Sequence, residues 1–483
     1  MLLTELIDGL DILYAGENLD VDIQGIAYDS RNIGKGCLFV CIDGKKTDGH
    51  SYARQALENG AAAFIAQKPL QLGSEAPVIL VRNTRTALAY VSDRFFGHPS
   101  ARFNLIGVTG TKGKTTTCFM IRSILEAAGR KAGLIGTLGV RIGDRVLHTD
   151  RTTPESLDLQ QLFARMADEG VQDVVMEVSS QGLALDRVKY CEFDTGVFTN
   201  LSRDHISPYE HAGMEEYLGA KTLLFKYCRT GLINRDCSFA DRVIEKAECG
   251  VLTYGTVAEA DARAENLVLL PGAVKFDMVS PWYNRRFSVN IPGKFTVYNA
   301  LAAAGACGIA GVPGEAVALG LERVQVPGRA EPVETGRDFG VIIDYAHTPD
   351  SLENILATVK AFARGRVICV FGCGGDRDRA KRPMMGAVSG RYADYTVITS
   401  DNPRTEDPDA IIRDIEAGIR TTPGKYTCIT DRKEAIRHAL AAASAGDVVL
   451  LAGKGHETYQ EFGNVTVHFD EREIVREILG EDF

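Results

Sequence analysis

The sequence predicts an α/β protein of three consecutive parts, at least two of them built on open, mostly parallel sheets. Short aliphatic and β-branched runs alternate with segments of helical apolar spacing along nearly the whole chain, the pattern of strands joined by crossover helices. Two clusters of turn residues interrupt the alternation, Gly97-His98-Pro99-Ser100 and Val326-Pro327-Gly328-Arg329. At 483 residues the chain also exceeds the length that one hydrophobic core serves, about 250–300 residues. These observations divide it into residues 1–98, 99–328 and 329–483.

The first part reads as a small α/β unit. Residues 37–42 (CLFVCI) form a buried-strand run, residues 51–59 suit a helix with Gly60 as its cap, and residues 61–66 form the next strand. A strand at 78–81 and a helix over 84–96 complete it. The second part opens with a strand at 103–108, a glycine-rich turn and a helix. Further strands are expected at 131–136, 173–178, 195–199 and 231–234. The third part restarts at 341–344 and continues with strands at 367–371, 395–400 and 448–452, a second doubly wound run.

Composition narrows the function. Acidic residues exceed basic ones, 64 against 54, for a net charge of −10. A bulk nucleic-acid binder usually carries the opposite sign, so an anionic ligand must be met by local donors. No apolar run reaches the ~18 residues of a membrane span. The first residues, MLLTELID, lack the basic region of a signal peptide. The 11 cysteines show no CxxC or zinc-type spacing, so reduced thiols and a cytoplasmic protein are expected.

The strongest motif is GVTGTKGKTTT at residues 107–117, between a strand and a helix. Gly110 and Gly113 let backbone N–H groups approach phosphate oxygens, and the helix N-terminus adds positive charge. Thr111, Lys112, Lys114, Thr115 and Thr116 belong to the same loop; Lys114 can reach the β- and γ-phosphates and Thr115 can hold Mg²⁺. Val108 stands where the strict P-loop has glycine, so the match is to a shorter GTxGKTT variant. Glu177, at a strand end, is a magnesium ligand or a solvated strand-end acid. His205, in NLSRDH, is a metal ligand, an acid–base group or an ordinary hydrogen-bonded side chain. Lys221, in an apolar helical stretch, either has a partner or snorkels to solvent. Three loops follow strands of the last part: GCGGDRDR at 372–379, DNPR at 401–404 and GKGHE at 453–457. Arg377 and Arg404 offer forks for a carboxylate, and Asp401 and Glu457 offer charge for an ammonium group. The alternative is a set of surface ion pairs. GxGxxG is absent, so no redox cofactor is expected.

Taken in order, these motifs resemble the Mur ligases, the ATP-dependent amide-forming enzymes of peptidoglycan precursor synthesis. The resemblance runs from Asp29-Ser30-Arg31 and Asp48-Gly49-His50 to the last loops, and includes Tyr298-Asn299-Ala300 and Asp344-Tyr345-Ala346-His347. It implies an N-terminal UDP-binding domain, a central P-loop ATPase and a C-terminal Rossmann-like domain. Within the family it points to the branch that adds the third amino acid to UDP-N-acetylmuramoyl-dipeptide. Tyr28, Ser30, Lys45, Lys46 and Thr47 would meet the UDP moiety, and Thr152, Thr153, Ser179 and Arg187 the muramoyl dipeptide. Lys114, Glu177, His205 and Lys221 would be catalytic, with Thr115, Glu177, His205 and a carbamylated Lys221 holding Mg²⁺. Asn299, Arg329 and Asp344 would complete the ATP site. Arg377, Asp401, Asn402, Pro403, Arg404, Gly453 and Glu457 would bind the amino acid. Arginine at 404 goes in the family with meso-diaminopimelate, whose second carboxylate a guanidinium can hold. The chain is expected to act as a monomer with no nucleic-acid partner. The family's usual histidine is Gln181 here, its frequent asparagines are Arg151 and Thr296, and its Asp-His-Leu-Asp is Asp204-His205-Ile206-Ser207. These departures leave room for a paralogue with an altered substrate or slow turnover. The alternatives to the diaminopimelate reading are ligation of L-lysine or another amino acid, a folylpolyglutamate-synthase-like ligase, or a non-catalytic paralogue that binds the precursor.

Overall fold

The computed structural model describes residues 1–480 apart from 45–46, 73–75, 204–205, 207–209 and 271. The chain forms two compact units. One comprises Met1–Arg263, Val279–Asn284 and Leu301–Gly320, the other Ala264–Met278, Arg285–Ala300 and Leu321–Phe483. Residue 98 lies inside the first unit, and Leu321 begins the long C-terminal stretch of the second.

The first unit carries two sheets. The smaller runs in the order Ile12–Ala15, Val78–Val81, Ala61–Ala66, Cys37–Val40, Gly25–Ala27, with only the Ile12–Ala15 edge antiparallel. The helix Thr84–Phe95 starts at Asn83, whose side chain accepts the Arg85 and Thr86 N–H groups. It buries Ala87, Leu88 and Val91 against Leu38, Val40 and Ile65. Residues 51–59 are a 3₁₀ turn, Gly49–Tyr52, followed by the short helix Ala53–Glu58, rather than one helix.

The larger sheet has a parallel core in the order Ala132–Gly136, Asp173–Glu177, Asn104–Thr109, Phe193–Phe198, Cys228–Asn234, Gly250–Gly255. Its central strands are buried on both faces, which is why they read as unbroken apolar runs. Glu177 stands opposite Val108 and Phe198 opposite Thr109, so three adjacent strands end level at one edge. The chain leaves Asn104–Thr109 for one side of the sheet and later fills the other side. That reversal of strand order opens a crevice at the carboxyl ends. Two antiparallel strands, Gly139–Ile142 and Arg145–Leu147, extend the sheet outside the pattern of strands and crossover helices. Strands Ala262–Leu269, Val274–Val279 and Asn284–Val289 straddle the division between the units.

The second unit holds the sheet Glu331–Val333, Gly340–Asp344, Val448–Ala452, Val367–Phe371, Tyr395–Ile398, Tyr426–Cys428, parallel except for its first strand. Asp344, Ala452, Phe371 and Ile398 are in register, so the segments after them leave from one edge. A hairpin, Tyr459–Phe462 with Val465–His468, follows. All 11 cysteines are free thiols. Among the described residues no helix is long and apolar enough to cross a membrane.

One ion pair fastens the last helix to this edge. The side chains of Arg432 and Glu471 are both 0% exposed. Arg432 Nε donates to Glu471 (2.9 Å), while its two terminal nitrogens donate to the carbonyls of Ser400 (3.3 Å) and Ala452 (2.9 Å). Removing one partner strands a buried charge. E471A is therefore expected to cost about 3–5 kcal/mol of stability, and the double replacement R432M/E471L distinctly less. Urea unfolding of the two variants measures the difference, and equal losses would contradict the assignment.

Candidate functional site

At the edge of the first unit the loop after Asn104–Thr109 needs glycine at 110. The residue has φ +145°, and a Cβ there would lie 1.9 Å from Thr199 Oγ1. Asn200 straps the loop down: its carbonyl accepts the Thr111 N–H and its Oδ1 the Lys112 N–H, each at 2.9 Å. The Thr199 hydroxyl (2.6 Å) and the Asn200 amide (3.0 Å) donate to the Lys112 carbonyl. Gly113, at φ +85°, opens the helix Lys114–Ala127, whose first turn carries Thr115 and Thr116. Lys114 Nζ curls back to the carbonyls of Gly110 (2.9 Å) and Thr111 (3.1 Å). Lys221 does not reach solvent: at 1% exposure its Nζ donates to the same Gly110 carbonyl at 2.8 Å and lies 4.6 Å over the Tyr217 ring.

Glu177 is 1% exposed, and Thr115 Oγ1 lies 3.0 Å from each of its carboxylate oxygens. Thr137 adds its N–H (2.9 Å) and its hydroxyl (3.2 Å), and that hydroxyl also meets Thr152 Oγ1 at 3.1 Å. Thr153 donates to the Glu177 carbonyl (3.0 Å) and accepts the Ser179 N–H (3.0 Å). Arg187 Nη1 donates to the Thr153 carbonyl at 3.0 Å. Four residues expected at the dipeptide, Thr152, Thr153, Ser179 and Arg187, thus form one network with Glu177. A hydroxyl beside a buried carboxylate is a hard oxygen donor set, and it suits Mg²⁺. His205 lies outside the described residues, as do Lys45 and Lys46. No group of three or more His, Cys, Asp and Glu side chains is placed to hold a metal among the described residues.

Around this network the sequence reading missed several side chains. Glu155 takes three guanidiniums: Arg85 (3.3 Å), Arg151 (2.8 Å) and Arg187 (3.0 Å). Arg85 comes from the helix Thr84–Phe95, in no recognisable motif. His211, buried, places Nε2 2.9 Å from Ser180 Oγ. Tyr28 donates its hydroxyl to Asp158 at 2.7 Å, and burial pushes the Asp158 carboxyl above its usual range. Ser30 Oγ meets Gln55 at 3.2 Å, and the Thr47 carbonyl accepts the Gly44 N–H at 3.0 Å.

In the second unit Arg329 lies 4.8 Å over the Tyr345 ring. The Ala330 N–H donates to Asp344 (2.7 Å), a carboxyl that burial pushes up. Asn299 is buried in the helix Lys294–Ile309. At the strand edge Gly453 donates its N–H to the Asp344 carbonyl (3.0 Å), and Asn402 Nδ2 donates to Glu457 Oε2 (2.9 Å). Burial opposes the Asp401 charge, yet Lys454 and Arg432 hold its carboxyl below the usual range. For Glu457 burial prevails over Lys454 and, with the Asp401 charge, pushes the carboxyl up.

Arg404 adopts the left-handed φ of +51°, a strained conformation for a non-glycine residue. Its backbone is fixed by bonds from its N–H to the Glu461 carbonyl (3.1 Å) and from the Gly463 N–H to its own carbonyl (2.7 Å). Its side chain is aimed by the Gly375 carbonyl (3.0 Å) and Glu461 (2.8 Å). Gly375 permits this approach, because a Cβ there would lie 1.9 Å from the Pro403 carbonyl oxygen. Arg377 is exposed on the same loop. Beneath it the buried Arg382 pairs with Glu406 (2.8 Å) and Asp414 (2.9 Å). Glu406 also accepts from Arg379 and from the Asp376 N–H, both at 2.7 Å, tying the glycine loop to the loop that carries Arg404.

Three family models match in order: "Mur ligase family, catalytic domain" over residues 22–96, "Mur ligase middle domain" over 108–307, and "Mur ligase, glutamate ligase domain" over 328–455. A UDP-N-acetylmuramoyl-L-alanyl-D-glutamate–2,6-diaminopimelate ligase of Caldanaerobacter subterraneus is 48% identical, covering 100% of this chain and 99% of its own. The same-named protein of Clostridium botulinum is 46% identical over 100% of both. A solved structure of a ligase of that name aligns with TM-score 0.74 at 32% identity over 99% of each chain. A folylpolyglutamate synthase of Mycobacterium tuberculosis, 19% identical with TM-score 0.65 over 82% of this chain and 96% of its own, shares the fold.

The Glu406 junction generates a pH dependence. Arg382 above all, then the Asp376 amide and Arg379, hold the Glu406 carboxyl down to about 2, burial opposing them. A depressed acid contributes stability that is full above its unfolded value, about 4.3, and is lost as pH falls through the folded value. The stability gap between the parent protein and E406Q is therefore expected to be widest near neutral pH and to narrow toward pH ~2.5. Denaturant midpoints along a pH series measure it, and a gap independent of pH would rule the linkage out.

Proposed function

The chain belongs to the Mur ligase family, and we propose that within it the chain is the ATP-dependent ligase that joins meso-diaminopimelate to UDP-N-acetylmuramoyl-L-alanyl-D-glutamate, a step of peptidoglycan precursor synthesis. One observation carries the choice of amino acid. The strand edge of the second unit collects Arg404, a fork for a carboxylate, with Asp401 and Glu457, acceptors for an ammonium group. Glu461 answers Arg404 at Nε, and a second ligand carboxylate would take the outer face of the guanidinium, a contact that a ligand with one carboxylate fewer forgoes.

The reaction follows from the donors already described. The loop amides and Lys114 receive the phosphates of ATP, and the substrate's terminal carboxylate attacks the γ-phosphorus, giving an acyl phosphate and ADP. Thr115 and Glu177, with His205 and a carbamylated Lys221 as the resemblance implies, would hold Mg²⁺, which when bound supplies positive charge to the phosphate oxygens. Thr152, Thr153, Ser179 and Arg187 hold the dipeptide so that its carboxylate meets the phosphate. The amino group of diaminopimelate then attacks the activated carbonyl, forming the amide and releasing inorganic phosphate. Asn299, Arg329 and Asp344 contact ATP, and Tyr28, Ser30, Lys45, Lys46 and Thr47 contact the UDP moiety. An ATP-consuming ligase with free thiols works in the cytoplasm.

The decisive experiment offers the purified enzyme UDP-muramoyl-dipeptide, ATP and a panel of amino acids, with ADP release and product mass as readouts. Turnover with diaminopimelate well above that with L-lysine is expected. K114A is expected to lose ATP-dependent amide formation by two orders of magnitude or more, ~3 kcal/mol of transition-state stabilisation. R404A is expected to raise the diaminopimelate KM while leaving the ATP KM nearly unchanged. Preference for lysine, or equal damage to both constants in R404A, would contradict the pocket. Product formation also excludes a paralogue that only binds the precursor, and folate polyglutamation would favour the folylpolyglutamate-synthase reading.

Carbamylation of Lys221 would convert an ammonium into a carboxylate-like ligand. Intact mass in bicarbonate buffer is expected to show added CO₂ that K221M lacks. Full activity with an unmodified amine at saturating bicarbonate would eliminate this role.

A further inference from the structure

Lys454 stands among the residues that the proposed function gives to the amino acid, yet that reading assigns it nothing. Its side chain is 0% exposed. Its Nζ lies 2.9 Å from Asn402 Oδ1, 3.2 Å from Glu457 Oε2 and 3.9 Å from Asp401 Oδ1. The rings of Tyr459 and Phe469 close over it, with centroids at 5.7 and 6.0 Å. An ammonium in such a place is costly to bury unless its surroundings answer its charge. Here the answer comes entirely from pocket residues.

The geometry has two local effects. First, it orients the Asn402 amide. Oδ1 accepts from Lys454 and from the Glu461 N–H (3.2 Å), so Nδ2 must face Glu457; the flipped amide would set donor against donor. Second, it engages one side of Glu457. Oε2 takes both Lys454 and Asn402, whereas Oε1 takes no donor among the described residues and stays open to a ligand.

The charges lead to the same residue. Arg432 is matched by Glu471 and Arg404 by Glu461. Asp401 and Glu457 together carry two negative charges, and Lys454 is the remaining buried cation beside both. The three sum to one negative charge, the complement of a single ammonium.

We propose that Lys454 is a positioning residue of the amino-acid pocket. It locks Asn402 and Glu457 in one arrangement and reduces the acidic pair to the net charge that binds one ammonium group. This rests on reading the pocket as an amino-acid site. It also bears on selectivity. Diaminopimelate is neutral overall and lysine carries one positive charge, so loss of Lys454 makes the pocket more negative and favours lysine in relative terms.

The test compares the unaltered enzyme with K454M and K454R, using the amino acid that the unaltered enzyme joins. K454M keeps most of the length of the side chain without its charge; K454R keeps the charge but overfills the space. K454M is expected to raise the amino-acid KM about tenfold or more with the ATP KM within about twofold, and to raise lysine use relative to diaminopimelate. K454R is expected to fall between K454M and the parent. A residue that only fills space gives the reverse order, methionine better tolerated than arginine, and that result overturns the proposal. So does a common shift in both constants. Should K454M fail to fold by circular dichroism, K454R decides: a rise confined to the amino-acid KM supports the role, and an unchanged or shared shift refutes it. Should the unaltered enzyme join no amino acid to the precursor, the functional reading itself fails. Calorimetric binding of diaminopimelate to the three proteins then judges Lys454 by the same ordering.

Discussion

Glu177 faces Val108, Phe198 faces Thr109, and in the other unit Asp344, Ala452, Phe371 and Ile398 share one level. This register of parallel strands is the constraint on which the chemistry depends. Parallel pairing evens the strands at their carboxyl ends, and each crossover starts there, so residues far apart in sequence leave the sheet side by side. Gly110, Glu177 and Thr199 come together for that reason, as do Gly375, Asn402 and Gly453. A slip of one residue in any of these strands would turn its buried side chains to the wrong face and move its loop by about 3.3 Å, more than a hydrogen bond tolerates. The apolar cores on both sides of each sheet therefore set the precision of the polar edge.

At those edges the chain keeps its charges buried and answered. Glu177 rests under two threonine hydroxyls. The Gly110 carbonyl accepts from both Lys114 and Lys221, which brings two cationic side chains from separate helices to one loop. In the second unit Arg432 with Glu471, Arg382 with Glu406, and Lys454 with Glu457 are close pairs of which at least one member is fully buried. Such pairs are weak contributors to net stability but fix geometry well, because an alternative arrangement leaves a charge or a donor unmatched. The strained φ of Arg404 fits that scheme: backbone bonds to the hairpin hold a conformation that the residue would not choose alone.

The sequence made the strands of the parallel cores legible because burial on both faces leaves unbroken apolar runs between turn residues. Residues 61–66, 78–81, 367–371 and 448–452 are strands at those positions. The antiparallel additions, Gly139–Ile142, Arg145–Leu147 and the hairpin at 459–468, were not legible: they are short and free of crossover helices, and all but the first are partly exposed. The site divides in the same way. Residues inside a motif, such as Lys114 or Arg404, could be named from their neighbours. Thr137, Arg85 and His211 could not, since each reaches the site through tertiary contact from a segment with no motif of its own. Lys454 is a third case: it lies inside the GKGHE motif, but only its burial among Asp401, Asn402 and Glu457 shows that it belongs to the pocket.

The acidic balance of the chain and the anionic substrates of the proposed ligase pose one electrostatic question. A net charge of −10 repels a ligand bearing phosphates and carboxylates at long range, although salt screens most of that field beyond about 8–10 Å. Inside that distance only the local inventory counts. Glu155 holds Arg85, Arg151 and Arg187 together, and because one carboxylate cannot neutralise three guanidiniums, the cluster keeps positive charge beside Thr153 and Ser179 even with Asp158 near Arg151 and Arg187. Without Glu155 the three would repel one another; with it they stay assembled in the absence of substrate. Lys454 answers the opposite problem in the second unit, where two acids would repel each other until an ammonium arrived. In both places a single buried side chain of opposite sign preorganises a like-charged cluster and stops short of neutralising it. The remaining charge is left for the ligand.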